Sequence, residues 1–363
     1  MKKLNFIVLL VLGISLFAVL TLANGKSRVI AKLSDAQQLV SEGCSLIKSG
    51  RVVAVLNCPF TVVSVKRLEP DLEVFAVDAS SVQQINANYV WGLGYNGTGR
   101  IIAVLDTGID TDHPELYDSI VGGWNFILNN SNFEDDNGHG THVAGIITAN
   151  GLNSDAIGAA PAAGIWSGKV LDAQGSGYIS DIIEAIYYVA DNVAADAISM
   201  SLGTSPPYTY KGGNCDAVVP SLTTAVHYAI SKGKSVVAAA GNSGGAGISI
   251  PGCISKVITV GAVDDYNKVT SWSGKGKSLE LVAPGVTILS SWVGGGYLSA
   301  SGTSMATPHV SATIALMKQK NSTLTPEEIT NILTSTATDL GKKGYDTSYG
   351  YGLINALDAV NAS

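Results

Sequence analysis

Ser304 stands in Ser301-Gly302-Thr303-Ser304-Met305-Ala306-Thr307-Pro308-His309-Val310, between a turn-forming glycine and the apolar run 310–317. A helix starting there aims unpaired N–H groups and the positive end of its dipole at the space beside the serine hydroxyl. Negative charge developing on a substrate oxygen would be stabilised in that space, as acyl transfer requires. By itself, serine at a helix start is usually only a cap. Chemistry needs a base, an acid to orient it and a second donor for the oxyanion, and the chain holds residue types for all three. Asp106 ends the apolar stretch 101–105. A carboxylate buried there is costly unless hydrogen-bonded, although Asp before Thr-Gly also makes turns. Gly138-His139-Gly140-Thr141-His142 offers two imidazoles. One suits a general base near neutral pH and the other a structural role. Asn242 closes Ala239-Ala240-Gly241-Asn242, where its amide either makes a turn or donates to an oxyanion. The two histidines could also share a metal on one helix face, but the H-E-x-x-H pattern is absent.

The elements that must position these residues alternate from Arg100 onward. Near-continuous apolar strands are read at 101–105, 197–202, 235–240 and 257–263, with helices at 181–190 and 221–232, the latter stopped by Gly233. Such strands, separated by helices, define an α/β fold: a parallel, doubly wound sheet covered by helices on both faces. Ligands bind such sheets at the carboxyl ends of the strands, where Asp106 and Asn242 fall. Thr325-Pro326-Glu327-Glu328 reads as a capped helix start. Upstream, residues 25–80 read as a small α+β module, with strands at 28–33, 51–56 and 61–65 and a short helix at 35–40. The pattern dissolves near 79–82.

Composition narrows the class. The 363 residues are 46% hydrophobic and only 14% charged, against the roughly 25% usual for soluble domains. A formal charge of −7 with no basic run argues against nucleic-acid binding. Residues 1–24 carry Lys2 and Lys3 before a long apolar stretch and small residues, the pattern of a secretory signal peptide. An uncleaved membrane anchor is the competing reading. Four cysteines suit an exported protein and allow three pairings. Cys44 with Cys58 and Cys215 with Cys253 is the economical choice, because the first pair lies in a segment expected to be removed.

Taken together, Asp-Thr-Gly at Asp106, His-Gly-Thr-His at His139, Ala-Ala-Gly-Asn at Asn242 and Gly-Thr-Ser-Met-Ala-Thr-Pro at Ser304 resemble the subtilisin-like serine proteases, in the family's order. The resemblance runs from about residue 84 to about 359. It implies a secreted serine endopeptidase in which Ser304 is the nucleophile, His139 the base and Asp106 its orienting acid. Asn242 and the Ser304 N–H would hold the oxyanion. It further implies that Gly175, Ser176 and Gly177, with Ser201, Leu202 and Gly203, clamp an extended polypeptide substrate. Ser201–Gly203 and the stretch 238–241, including Ala239 and Gly241, would wall a pocket for the residue before the cut. Those walls are small and uncharged, which favours an apolar or medium-sized side chain. Calcium is the ion the family leads one to expect, with Glu115, Asn153 and Asp155 as candidate ligands and Asp135 and Asp136 as a second acidic cluster. Residues 25–80 resemble a short subtilase propeptide, a folding assistant and inhibitor released by self-cleavage between 76 and 82. The resulting plan is signal 1–24, propeptide 25–80 and catalytic domain 81–363, acting as a monomer. Residues 206–216 look like an insertion, which a Cys215–Cys253 bridge would tether beside the specificity pocket.

Overall fold

The structure, a computed structural model, describes residues 26–49, 53–66, 68–70 and 81–363. Residues 1–24, expected to be a signal segment, lie outside the described residues, as do residues 71–78 of the stretch 70–78, whose pattern resembles the last strand of a subtilase propeptide. The chain divides into two units, Met1–Val77 and Asp78–Ser363.

In the first unit, strands Lys26–Lys32, Ser45–Ser49, Val53–Pro59 and Glu69–Pro70 form an antiparallel sheet, accompanied by helices Ala36–Ser41 and Phe60–Lys66. Alternation along Val53–Pro59 places Ala54, Leu56 and Cys58 in a core with Val29 and Leu39. Cys44 is bonded to Cys58. The strand expected at 61–65 is instead helix. Its β-branched residues favour strand, but Val62 and Val63 are adjacent in sequence and both pack on this core. A strand would send them to opposite faces, so tertiary burial overrides propensity.

The second unit is built on seven strands: β1 Ile101–Asp106, β2 Ile120–Asn125, β3 Gly164–Lys169, β4 Ala197–Met200, β5 Ser235–Ala239, β6 Ile258–Val263 and β7 Leu281–Pro284. All neighbours are parallel, in the order β7-β6-β5-β4-β1-β3-β2. Every residue of β4, β5 and β6 is buried, as expected where helices cover both faces. Its helices include α1 His139–Thr148, α2 Ile179–Asn192, α3 Pro220–Ser231 and α4 Thr303–Lys320. α1 packs with α4, and α2 with α3. α2 is amphipathic, burying Ile182, Ala185, Ile186 and Val189 at helical spacing. α4 is buried nearly all round and runs through the core. Gly233 follows α3 with φ +83°, a left-handed turn after the helix that glycine adopts without penalty. A further helix, Pro326–Ser335, starts on the expected capping box of Thr325 and Glu328.

The chain leaves β1 for the β2 edge, returns through β3, then crosses β1 to β4 and continues outward. The reversal falls around β1, so the crevice at its carboxyl end is where this topology builds a site. There Asp106, Lys169 and Asn125 are register partners across three strands. Among the described residues, no helix is long and apolar enough to cross a membrane.

Candidate active site

Asp106 is the last residue of β1 and is buried. Its Oδ1 accepts from the Thr107 N–H at 2.8 Å and from His139 Nδ1 at 2.7 Å. His139 opens α1, and the glycine after it is forced by packing. A Cβ on Gly140 would lie 2.2 Å from the Gly108 carbonyl oxygen, so the Asp-Thr-Gly turn and the helix start touch backbone to backbone. Asp135 fixes the loop before His139. One of its oxygens accepts from Thr107 Oγ1, Asn137 N and Gly138 N, and the other from the N–H and hydroxyl of Thr141. Burial raises its pKa, but the Thr141 hydroxyl and these N–H donors outweigh burial and hold it below the ordinary carboxylate value.

Burial alone would depress His139. The charge and hydrogen bond of Asp106, with the Asp135 charge behind it, reverse this and hold its pKa above the ordinary 6.5. Because Nδ1 donates to Asp106, the neutral ring leaves Nε2 as a bare acceptor. His142 has the structural role. Its Nε2 donates to the carbonyls of Ile288 and Leu298, tying α1 to the hairpin of Ile288–Trp292 and Gly296–Ala300. Burial pushes its pKa down to about 4.

Ser304 is the second residue of α4, where an N–H has no partner within the helix. Pro308 lies four residues on and has no N–H to give the Ser304 carbonyl. Ser201 Oγ supplies that bond instead, at 2.8 Å, while Ser304 Oγ donates to the Ser201 carbonyl at 3.0 Å. Among the described residues, His139 Nε2 makes no hydrogen bond. Such bonds are commonly long in a free enzyme and tighten around substrate. Asn242 is held by its acceptor end: Oδ1 takes both the N–H and the hydroxyl of Thr303 at 3.0 Å. Its NH₂ is left beside Gly302, next to the Ser304 N–H: a Cβ on Gly302 would lie 3.4 Å from Nδ2 and 3.6 Å from the Ser304 nitrogen. Thr303 Oγ1 also accepts from Gly241 N at 3.1 Å.

The remaining positions fall on two edges. Asp172 closes the turn that carries Gly175 and Ser176, accepting from Gly175 N on its carbonyl and from Ser176 N on its carboxylate. Gly177 lies against Val170, where a Cβ would be 2.2 Å from the carbonyl oxygen. Ser176 and Gly177 are exposed. On the other edge Ser201 and Ala239 are buried, while Leu202, Gly203 and Gly241 follow β4 and β5. Gly203 and Gly241 both face Ser249, a residue that sequence spacing does not single out. Added Cβ atoms would lie 2.7 Å from its Cβ and 2.0 Å from its Oγ, respectively. The stretch 206–216 joins this edge. Thr209–Tyr210 pairs with Ile248–Ser249, Cys215 is bonded to Cys253, and Cys215 N donates to the Cys253 carbonyl.

The calcium set needs correction. Glu115 is fully buried, and its carboxylate accepts from the N–H groups of Gly151, Leu152 and Asn153 and from the Tyr297 hydroxyl, at 2.6–3.1 Å. Asn153 Oδ1 accepts from Asp155 N. N–H groups converge on Glu115 where a cation would need oxygen ligands, and Asn153 Oδ1 is taken by the Asp155 N–H, so Glu115 and Asn153 do not fit calcium. Nor do Asp135 and Asp136 form one: Asp135 is saturated by donors, and Asp136 pairs with Lys169. No cluster of three or more His, Cys, Asp or Glu suited to a metal occurs among the described residues.

The fold and these four positions define a class. The sequence profile of the subtilase family matches residues 97–352, and the chain belongs to this family. It is a subtilisin-type serine endopeptidase. It is 40% identical over 300 residues to the alkaline protease of Shouchella clausii, covering 82% of this chain and 74% of that protein. It is 41% identical over 279 residues to Subtilisin Savinase of Lederbergia lenta, covering 77% of this chain and 97% of the other. The crystal structure of a cold adapted subtilisin-like serine proteinase superposes with a TM-score of 0.62 at 37% identity, covering 72% of this chain and 88% of that one.

Proposed function

We propose that the chain hydrolyses peptide bonds through Ser304, His139 and Asp106 by way of an acyl-enzyme. Ser304 Oγ attacks the scissile carbonyl carbon as His139 Nε2 takes its proton. The bond from Asp106 to Nδ1 holds the ring in the needed tautomer and stabilises the imidazolium that forms. The oxyanion sits between the Asn242 NH₂ and the Ser304 N–H. His139 then gives its proton to the leaving amine, and water repeats the sequence to release the acid. One observation carries this reading: Thr303 grips Asn242 by its oxygen, which leaves the amide donor beside the N–H of Ser304.

An extended polypeptide would add as a strand to the edges at Gly175–Gly177 and Ser201–Gly203, bound mainly through its main chain. The small, uncharged walls at Ser201–Gly203, Ala239 and Gly241 favour an apolar or medium-sized residue before the cut. The protein is made for secretion as a precursor, with residues 1–24 as signal, 25–80 as inhibitory propeptide and 81–363 as the enzyme. It releases its own propeptide and acts as a monomer. Calcium is not assigned to Glu115 or Asn153.

The test is labelling with a serine-directed fluorophosphonate, expected on wild type and lost in Ser304→Ala, with casein cleavage surviving a zinc chelator. Inactivation by the chelator, or cleavage retained in Ser304→Ala, would overturn the reading. A purified Ser304→Ala precursor that still sheds residues 25–80 would refute self-processing.

A further inference from the structure

Lys169 ends β3 as the register partner of Asp106 on one side and of Asn125 on the other. Its side chain is buried, and a buried ammonium is tolerated only when its donors are satisfied. All three are: Nζ donates to the Thr107 carbonyl, to Asp136 Oδ1 at 2.6 Å and to the Leu171 carbonyl at 3.1 Å. The acceptors belong to three stretches of different duty. Thr107 follows Asp106, and Asp136 lies three residues before His139. Leu171 begins the loop that leads to Gly175–Gly177, and its N–H, with that of Val170, returns to the Asp106 carbonyl.

The Asp136 side chain is 56% exposed and would be well hydrated without a partner. An ion pair with so exposed a carboxylate adds little stability. Its consequence is geometric: it draws the His139 loop onto the same ammonium that holds the turn after Asp106. Asp135 braces the loop from inside with neutral donors, and Lys169 braces it from the sheet.

We propose that Lys169 is a positioning residue of the peptidase reaction, fixing the Asp106 turn, the His139 loop and the substrate-binding loop at one point. The proposal rests on the triad reading above. It acts on geometry, so its effect is on turnover per working active site and on the binding of extended substrates.

The experiment measures kcat and KM, per site titrated with fluorophosphonate, for a short peptide anilide and a longer peptide in Lys169→Met, Asp136→Leu and Asp136→Asn. Lys169→Met is expected to lower kcat about tenfold or more, the scale of a small misplacement of catalytic groups. KM for the anilide should stay within about twofold while KM for the longer peptide rises. Asp136→Leu should lower kcat less, and Asp136→Asn should restore it, because an amide oxygen still accepts from Nζ. Wild-type kcat per titrated site in Lys169→Met, with only thermal stability reduced, would overturn the proposal. If Lys169→Met does not fold, Asp136→Leu decides: unchanged kcat refutes the role, and a fall reversed in Asp136→Asn supports it. Failure of wild type to be labelled would instead break the triad reading.

Discussion

Asp106 and Glu115 are both fully buried carboxylates, and both belong to motifs that single them out, yet their surroundings differ in kind. Asp106 spends one oxygen on the Thr107 N–H and the His139 ring, while its other oxygen has no partner among the described residues. Glu115 is saturated by three backbone N–H groups and a phenol. A carboxylate facing a titratable ring stabilises the charge that ring acquires. One facing peptide donors staples a loop and has no lone pair left for a cation. Residue type and spacing suggest both sites, but the donors around each carboxylate decide what it does.

The largest effects belong to the Asp106 side. Ser304→Ala or His139→Ala should lower kcat by about 10⁶, the scale set by subtilisin itself, as measured by active-enzyme assay on a peptide anilide. Asn242→Leu should cost about 10²–10³ in kcat with little change in KM, again the subtilisin scale for an oxyanion donor. Thr303→Val removes the hydroxyl that steers Asn242 while leaving its backbone donor. A smaller loss of about tenfold in kcat is expected, and none would mean that Asn242 orients itself.

A pH profile sharpens the same side. His139 must be neutral to take a proton, and its pKa is held above 6.5, chiefly against burial, by the Asp106 charge. The acid limb of kcat/KM should therefore lie above pH 6.5 and move to lower pH in Asp106→Asn. A limb that stays in place would detach His139 from Asp106.

On the Glu115 side the expected loss is of stability. Glu115→Ala strands three N–H groups and the Tyr297 hydroxyl, worth about 2–4 kcal/mol after partial rescue by water. Thermal denaturation should show the same drop with calcium or with EDTA. A drop that disappears in EDTA would restore a cation to this loop.

The candidate catalytic positions were legible as candidates because each lies in a short motif whose neighbours are dictated locally, as Gly140 is by the Gly108 carbonyl. The parallel sheet was legible from unbroken apolar strands. The helix at 60–66 was not, since β-branched residues in a row favour strand until a particular core claims two neighbours at once. Three further features were hidden because they join residues far apart in the chain. Ser201 caps the carbonyl that Pro308 leaves open, Thr303 grips Asn242, and Ser249 fills the space left by Gly203 and Gly241. Sequence spacing reports what a residue type can do, whereas these pairings depend on which strand ends meet.

The most direct test of the central claim is pre-steady-state acylation with an activated peptidyl ester. A nucleophilic Ser304 predicts a burst approaching one product molecule per chain before steady turnover, abolished in Ser304→Ala. Linear release from the first turnover in an enzyme shown to be deacylation-limited, or a burst that persists in Ser304→Ala, would contradict it.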